Sequence, residues 1–256
     1  MLWLIGGTQE SAMLARDLVA QGMSCVVTVT TAAARRLYPD TERCRVWVGR
    51  LTTETVGEFL QTHSIRAVLD ASHPFATAVS ELAIATAANF HLPYLRFERL
   101  SVEGGFPEEW VFPNFEALLE SNRLANQRVL LTIGYRYLPL FQPWQDRATL
   151  FARILPSQEA LAGAIAAGFT PDRLIALRPP ITAALETALW QQWQISLVVT
   201  KASGHPGGEA IKRQVAIDLG IPLATIARPA LAYPQVTRDR AIALAFCQTA
   251  LGDMMR

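Results

Sequence analysis

Lysine is almost missing from this chain. Of its 23 basic residues only Lys201 and Lys212 are lysine, and the rest are arginine. Arginine suits planar, two-point recognition of carboxylate and phosphate. Cysteine is also scarce. Cys25, Cys44 and Cys247 are far apart and odd in number, which excludes a disulfide framework and a cysteine zinc site. The four histidines, His63, His73, His91 and His205, are scattered without metal-ligand spacing, so no metal is expected. No apolar run reaches the roughly 18 residues of a membrane span, and the first residues do not read as a cleavable leader. The expectation is a cytoplasmic protein without a membrane partner. A net charge of +1 lacks the basic excess of a nucleic-acid binder.

What is there is a core-forming chain of 256 residues, 51% of them hydrophobic, enough for one large domain or two small ones. Met1 to Glu10 set the theme. Leu2 to Ile5 read as a strand buried on both faces, Gly6-Gly7 as a tight turn, and Thr8 as the cap of a helix from Ser11. A strand, a glycine turn and a helix start converge backbone N–H groups with the positive end of the helix dipole. A nucleotide phosphate on Gly6, Gly7 and Thr8 is one reading. A tight βα turn that needs glycine anyway is the other, since the full G-x-G-x-x-G fingerprint is missing.

The pattern that follows alternates. Strands are predicted at Ser24 to Thr30, Arg45 to Val48, Ala67 to Asp70 and Pro93 to Arg96, with helices from Thr52 or Thr53 to His63 and from Pro74 to Phe90. Residues 97–126 break the rhythm as a bridge, with a short strand near Trp110 to Phe112. Strands then recur at Arg128 to Thr132, Ala148 to Ile154, Leu174 to Leu177, Ile195 to Thr200 and Leu223 to Ile226, with helices between most of them. This predicts an α/β protein of two Rossmann-like domains, 1–124 and 125–256, each with a mainly parallel sheet of about five strands. Ligands of such folds bind at the C-terminal ends of the strands, and a cleft bounded by both sets of ends is expected.

The strand ends hold the candidate chemistry. After the second strand no acidic residue stands ready for a ribose 2′-OH; Thr30, Thr31, Arg35 and Arg36 suit a 2′-phosphate instead. The fourth strand runs into Asp70-Ala71-Ser72-His73-Pro74. The fifth ends at Arg96 with Glu98 and Arg99, which can clamp an acidic group or pair with each other. The richest segment is Thr200-Lys201-Ala202-Ser203-Gly204-His205-Pro206-Gly207-Gly208, with Lys212 in the helix beyond. It can cradle an anion, but it lacks the order of an ATP-binding P-loop.

Taken together, Gly6-Gly7-Thr8 with Glu10, Asp70 to Ala76, Pro93 to Arg96 with Glu98-Arg99, Thr200 to Gly204, Gly207-Gly208, Lys212, Gly220-Ile221-Pro222 and Arg228-Pro229 resemble the precorrin-6A reductases of cobalamin biosynthesis. The resemblance implies a two-domain enzyme that uses NADPH, or NADH, to reduce one carbon–carbon double bond at ring D of precorrin-6A or its cobalt form, alongside other enzymes of that pathway. It implies a cofactor site of Gly6, Gly7, Thr8, Glu10, Thr30, Arg35 and Ser72. It implies a site for the carboxylate-fringed tetrapyrrole of Arg96, Arg99, Thr200, Lys201, Ser203, Gly204, Gly207 and Lys212, with His73 and Lys201 as proton-donor candidates. The family's Gly-Pro-Phe-Ser and Leu-Asn appear here as Pro179-Pro180-Ile181-Thr182 and Leu185-Glu186. Its Ala-Gly-Arg appears as Ala33-Ala34-Arg35. Two other functions remain open on the residues alone. One is an S-adenosylmethionine-dependent methyltransferase of the same pathway. The other is a non-catalytic binder of an anionic metabolite.

Overall fold

The computed structural model describes residues 1–102 and 104–252. The chain forms two units, residues 1–100 with 230–256, and residues 101–229. Each contains a six-stranded sheet in which every strand pair is parallel.

In the first unit β1 (Leu2–Ile5), β2 (Cys25–Val29), β3 (Cys44–Val48), β4 (Ala67–Asp70), β5 (Tyr94–Phe97) and β12 (Val236–Thr237) stand in the order β12-β5-β4-β1-β2-β3. Helices α1 (Gln9–Ala20), α2 (Val56–Thr62), α3 (Thr77–Asn89) and α8 (Arg240–Gly252) belong to this unit. Residues alternate along β1: Leu2 and Leu4 join a core with Leu14, Leu18 and Cys247, while Trp3 and Ile5 join another with Phe59, Val68 and Ala83. A central strand buried on both faces explains the continuous apolar run in the sequence.

In the second unit β6 (Glu109–Phe112), β7 (Arg128–Leu131), β8 (Thr149–Ile154), β9 (Leu174–Ala176), β10 (Leu197–Lys201) and β11 (Leu223–Ile226) stand in the order β6-β11-β10-β7-β8-β9. Helices α4 (Phe115–Glu120), α5 (Gln158–Ala166), α6 (Ala183–Gln192) and α7 (Glu209–Leu219) belong to it. A core of Leu130, Phe151, Trp190, Val198 and Val215 lies on one face of the sheet.

Several details differ from the sequence expectation. Each sheet has a sixth strand. β12 is only two residues long, too short to show a period, and β6 lay in the stretch assigned to a bridge. Consequently residues 101–124 group with the second unit and residues 230–256 with the first, rather than dividing at 124/125. Helix α3 starts at Thr77 instead of Pro74, because residues 73–76 form a turn closed by Ala76 N–H donating to His73 O at 2.8 Å.

Candidate functional site

Each sheet has a switch point, where the strand order reverses and the following loops part. In open parallel sheets this is where ligands bind. In the first unit it lies between β1 and β4, and in the second between β7 and β10.

At the first switch point the Gly6-Gly7-Thr8 turn follows β1. Thr8 caps α1 in a capping box: its Oγ1 accepts from Ser11 N–H at 3.0 Å, and Thr8 N–H donates to Ser11 Oγ at 3.1 Å. The same Thr8 hydroxyl donates to Ala71 O at 2.8 Å, tying the loop after β1 to the loop after β4. Gly7 needs its lack of a side chain, with φ at +95°; a Cβ there would meet nothing within 4 Å, so the outer side of the turn is open. Gly7 N–H donates to the Tyr38 hydroxyl at 2.6 Å. With the Ser11 amide used by the cap, the amides of Gln9 and Glu10 are the first-turn donors without an intrahelical acceptor. An open glycine, two free first-turn amides and the helix dipole fit the phosphate of a nucleotide cofactor.

Around this turn the expected residues sort into two groups. Glu10, on the first turn of α1, accepts from Arg99 at 2.9 Å, so one expected cofactor residue and one expected substrate residue hold each other. Thr30 and Arg35 are exposed. Thr31 caps a 3-10 helix over Ala32–Leu37, accepting from Ala34 N–H at 3.3 Å. His73 Nδ1 accepts from Phe75 N–H at 3.2 Å, which puts the proton of a neutral imidazole on Nε2.

Ser72 and Arg96 turn inward. They belong to a buried network centred on Asp70, a residue with no exposed surface. Asp70 Oδ1 accepts from Ser72 N–H and Arg96 Nη1, both at 2.9 Å, and Oδ2 from Ser80 at 2.6 Å and Tyr94 at 2.7 Å. Arg96 also donates to Ser72 Oγ and Glu98 at 2.9 Å and stacks 5.1 Å from the Tyr233 ring. Burial and the Asp70 charge push the Tyr94 phenol up, out of any physiological range. Held through Nε and Nη1 by Glu98, Asp70 and Ser72, Arg96 anchors the ends of β4 and β5.

At the second switch point Lys201 ends β10. Its Nζ lies 4.8 Å from the Tyr137 ring centroid, beyond the end of β7. Burial, and secondarily the nearby Arg136 charge, lower its pKa to about 8. Thr200 and Ser203 are buried. Gly207 leaves room for Ser203, whose Cβ a side chain at 207 would meet at 2.5 Å. The loop is clamped from α7: Gly204 N–H donates to Glu209 at 2.7 Å, and Lys212 Nζ donates to Gly207 O at 2.8 Å. Lys212 is 2% exposed, and burial, with Arg153 as the next cause, lowers its pKa to about 8. It supports the loop from beneath.

The sequence reading passed over several of these groups. Tyr38, Ser11, Ser80 and Glu209 bond to the expected site residues Gly7, Thr8, Ser72 and Gly204, and Tyr94 bonds to Asp70 beside them. Glu186, where the resemblance led to Asn, is 2% exposed and accepts from Arg153 at 2.5 Å and Trp190 Nε1 at 3.0 Å. A Glu here is matched by an Arg. The Pro179-Pro180 peptide is cis.

Among the described residues no group of three or more His, Cys, Asp or Glu could hold a metal ion. Among the described residues no helix is long and apolar enough to cross a membrane.

The model of the family described as precorrin-6x reductase CbiJ/CobK matches residues 1–248. The chain belongs to this family. It is 50% identical over 250 residues to the cobalt-precorrin-6A reductase of Synechocystis sp., covering 96% of this chain and 95% of that one. It is 30% identical over 233 residues to the precorrin-6A reductase of Rhodobacter capsulatus, covering 90% and 88%. The solved structure of CobK precorrin-6A reductase is similar with a TM-score of 0.81 and 26% identity, over 98% of this chain and 97% of that one. Membership makes the chain an oxidoreductase of cobalamin biosynthesis that acts on a CH–CH bond.

Proposed function

We propose that the chain reduces one carbon–carbon double bond at ring D of precorrin-6A, in its cobalt-containing form, with NADPH as the donor and NADH as the weaker alternative. The single observation that carries the substrate is the 50% identity to a cobalt-precorrin-6A reductase across nearly the whole of both chains. The nicotinamide supplies the hydride when bound. The residues supply position and charge.

Four features support this assignment. The open Gly7 with the Gln9 and Glu10 amides suits the pyrophosphate, and the exposed Thr30 and Arg35 suit a 2′-phosphate. The Lys201 to Gly208 loop suits carboxylates of the acidic macrocycle, with the Lys201 ammonium as the charge that meets them. Reduction of a carbon–carbon double bond adds one hydride and one proton. Lys201, with its pKa lowered to about 8, is an ammonium able to give that proton near neutral pH, and His73 would give it only as the imidazolium. Glu10 and Arg99 neutralise each other beside the turn, so the helix start keeps its positive potential.

Calorimetry against NADPH, NADH and S-adenosylmethionine tests the cofactor half. Binding of NADPH ahead of NADH, with none of S-adenosylmethionine, is expected; the reverse order would assign the turn to methyl transfer.

A further inference from the structure

The segment 30–37 carries the groups proposed for the cofactor's 2′-phosphate, yet it has no buried anchor of its own. Thr30 and Thr31 are exposed, and no residue of the 3-10 helix Ala32–Leu37 is buried. The next residue is different. Tyr38 is 8% exposed and packs in the core with Leu14, Ala15, Val27 and Cys44. Its hydroxyl reaches the glycine turn, accepting from Gly7 N–H at 2.6 Å and sharing a hydrogen bond with Ser11 Oγ at 2.7 Å. Gly6 is shaped around it: a Cβ there would collide with the Tyr38 hydroxyl and lie 2.6 Å from Val27 Cγ1. Ser11 is in turn the capping-box partner of Thr8. One phenol therefore bonds the glycine turn and the first turn of α1, and it lies at the root of the segment that bears Arg35.

We propose that Tyr38 is a positioning residue for the cofactor: its hydroxyl ties the 30–37 segment to the Gly6-Gly7 turn, so that the pyrophosphate and 2′-phosphate positions are set together. The proposal rests on the nicotinamide reading above and adds a residue and a coupling to it. Tyr38 touches no reacting atom. It acts through Gly7, Ser11 and the backbone leading to Arg35. Burial pushes its phenol up, so it stays protonated, and it keeps both hydrogen bonds throughout the working pH range.

Tyr38→Phe removes the hydroxyl and keeps the ring in the core. Loss of these hydrogen bonds predicts a KM for NADPH raised about three- to ten-fold, with kcat and the KM for the tetrapyrrole unchanged. A residue serving stability alone would lower the melting temperature without this split. The two ends of the tether must also couple. Arg35→Ala is expected to raise the NADPH KM much less in the Tyr38→Phe background than in the wild type. Hydrogen–deuterium exchange gives a readout free of cofactor: peptides covering 6–8 and 30–37 exchange faster in Tyr38→Phe, while those covering β4 do not. Additive KM effects, a lowered NADPH KM or unchanged exchange overturn the proposal. A lowered KM would mean that the hydroxyl competes with phosphate for the Gly7 amide. The outcomes separate cleanly. Wild-type protein that binds no nicotinamide sinks the cofactor reading and the role of Tyr38 with it. Wild-type binding with no exchange difference sinks the Tyr38 proposal alone.

Discussion

Arg96 and Asp70 meet at 2.9 Å with 1% and 0% of their side chains exposed. They face each other in register on β5 and β4, and Ser72, Ser80, Tyr94 and Glu98 complete their bonding. Two charges at such depth are tolerated because they are paired and every polar neighbour is used. Asp70→Ala leaves a buried guanidinium uncompensated on that side, and a loss of about 3–5 kcal/mol in unfolding free energy is expected. Urea denaturation checks it. A loss under about 1 kcal/mol, the range of exposed pairs, would show that the network does not anchor the strand ends.

Gly6 and Gly7 differ in why they are glycine, and the difference is measurable. Gly6→Ala drives a Cβ to 2.6 Å from Val27 and into the Tyr38 hydroxyl, and overpacking of this kind costs about 1–3 kcal/mol. Gly7→Ala meets open space but must hold φ at +95°, a strain of about 1–2 kcal/mol. Both variants unfold earlier in urea. Only Gly6→Ala is expected to speed exchange in the 30–37 segment, by displacing Tyr38.

Arg35 is exposed, so its loss should leave the fold intact. Arg35→Ala is expected to raise the KM for NADPH by about ten-fold, the scale of one charge-assisted contact, and to leave that for NADH nearly unchanged. Steady-state kinetics with both donors decides it. Equal effects on the two would remove Arg35 from the 2′-phosphate role.

Lys201 is expected to act in its protonated form. Its pKa is lowered to about 8 by burial and the Arg136 charge, so the ammonium is present below about pH 8 and is lost as pH rises through it. The predicted kcat profile is flat at neutral pH and falls above about pH 8. In Lys201→Arg, whose guanidinium stays charged but is too weak an acid to give the proton, that limb disappears and kcat is lower at every pH. A wild-type profile with no fall, or a fall retained in Lys201→Arg, assigns the proton to another group such as His73.

Much of this was legible in the residues. Buried parallel strands print themselves as apolar runs, which is why β1, β4 and β11 sit where the sequence puts them. Glycine turns and their caps are equally local, and Thr8 caps its helix as read. The two-residue β12 was not legible, since it is defined by pairing with β5 and not by its own pattern. The site divided along the same line. That Lys201 ends β10 follows from local sequence. That Arg96 turns inward to Asp70, Lys212 to Gly207 O and Tyr38 to Gly7 depends on partners 26, 5 and 31 residues away. A charged side chain at a strand end looks the same in sequence whether it points at a ligand or at a buried partner. Tyr38 did leave one signal: it is a single large aromatic closing a run of small and basic residues.

The most direct measurement is anaerobic turnover with precorrin-6A or cobalt-precorrin-6A, each paired with NADPH or NADH. The account predicts one nicotinamide oxidised per macrocycle, with a matching change in the macrocycle's absorption, fastest for the cobalt form with NADPH. No nicotinamide oxidation in any of the four pairings would contradict it.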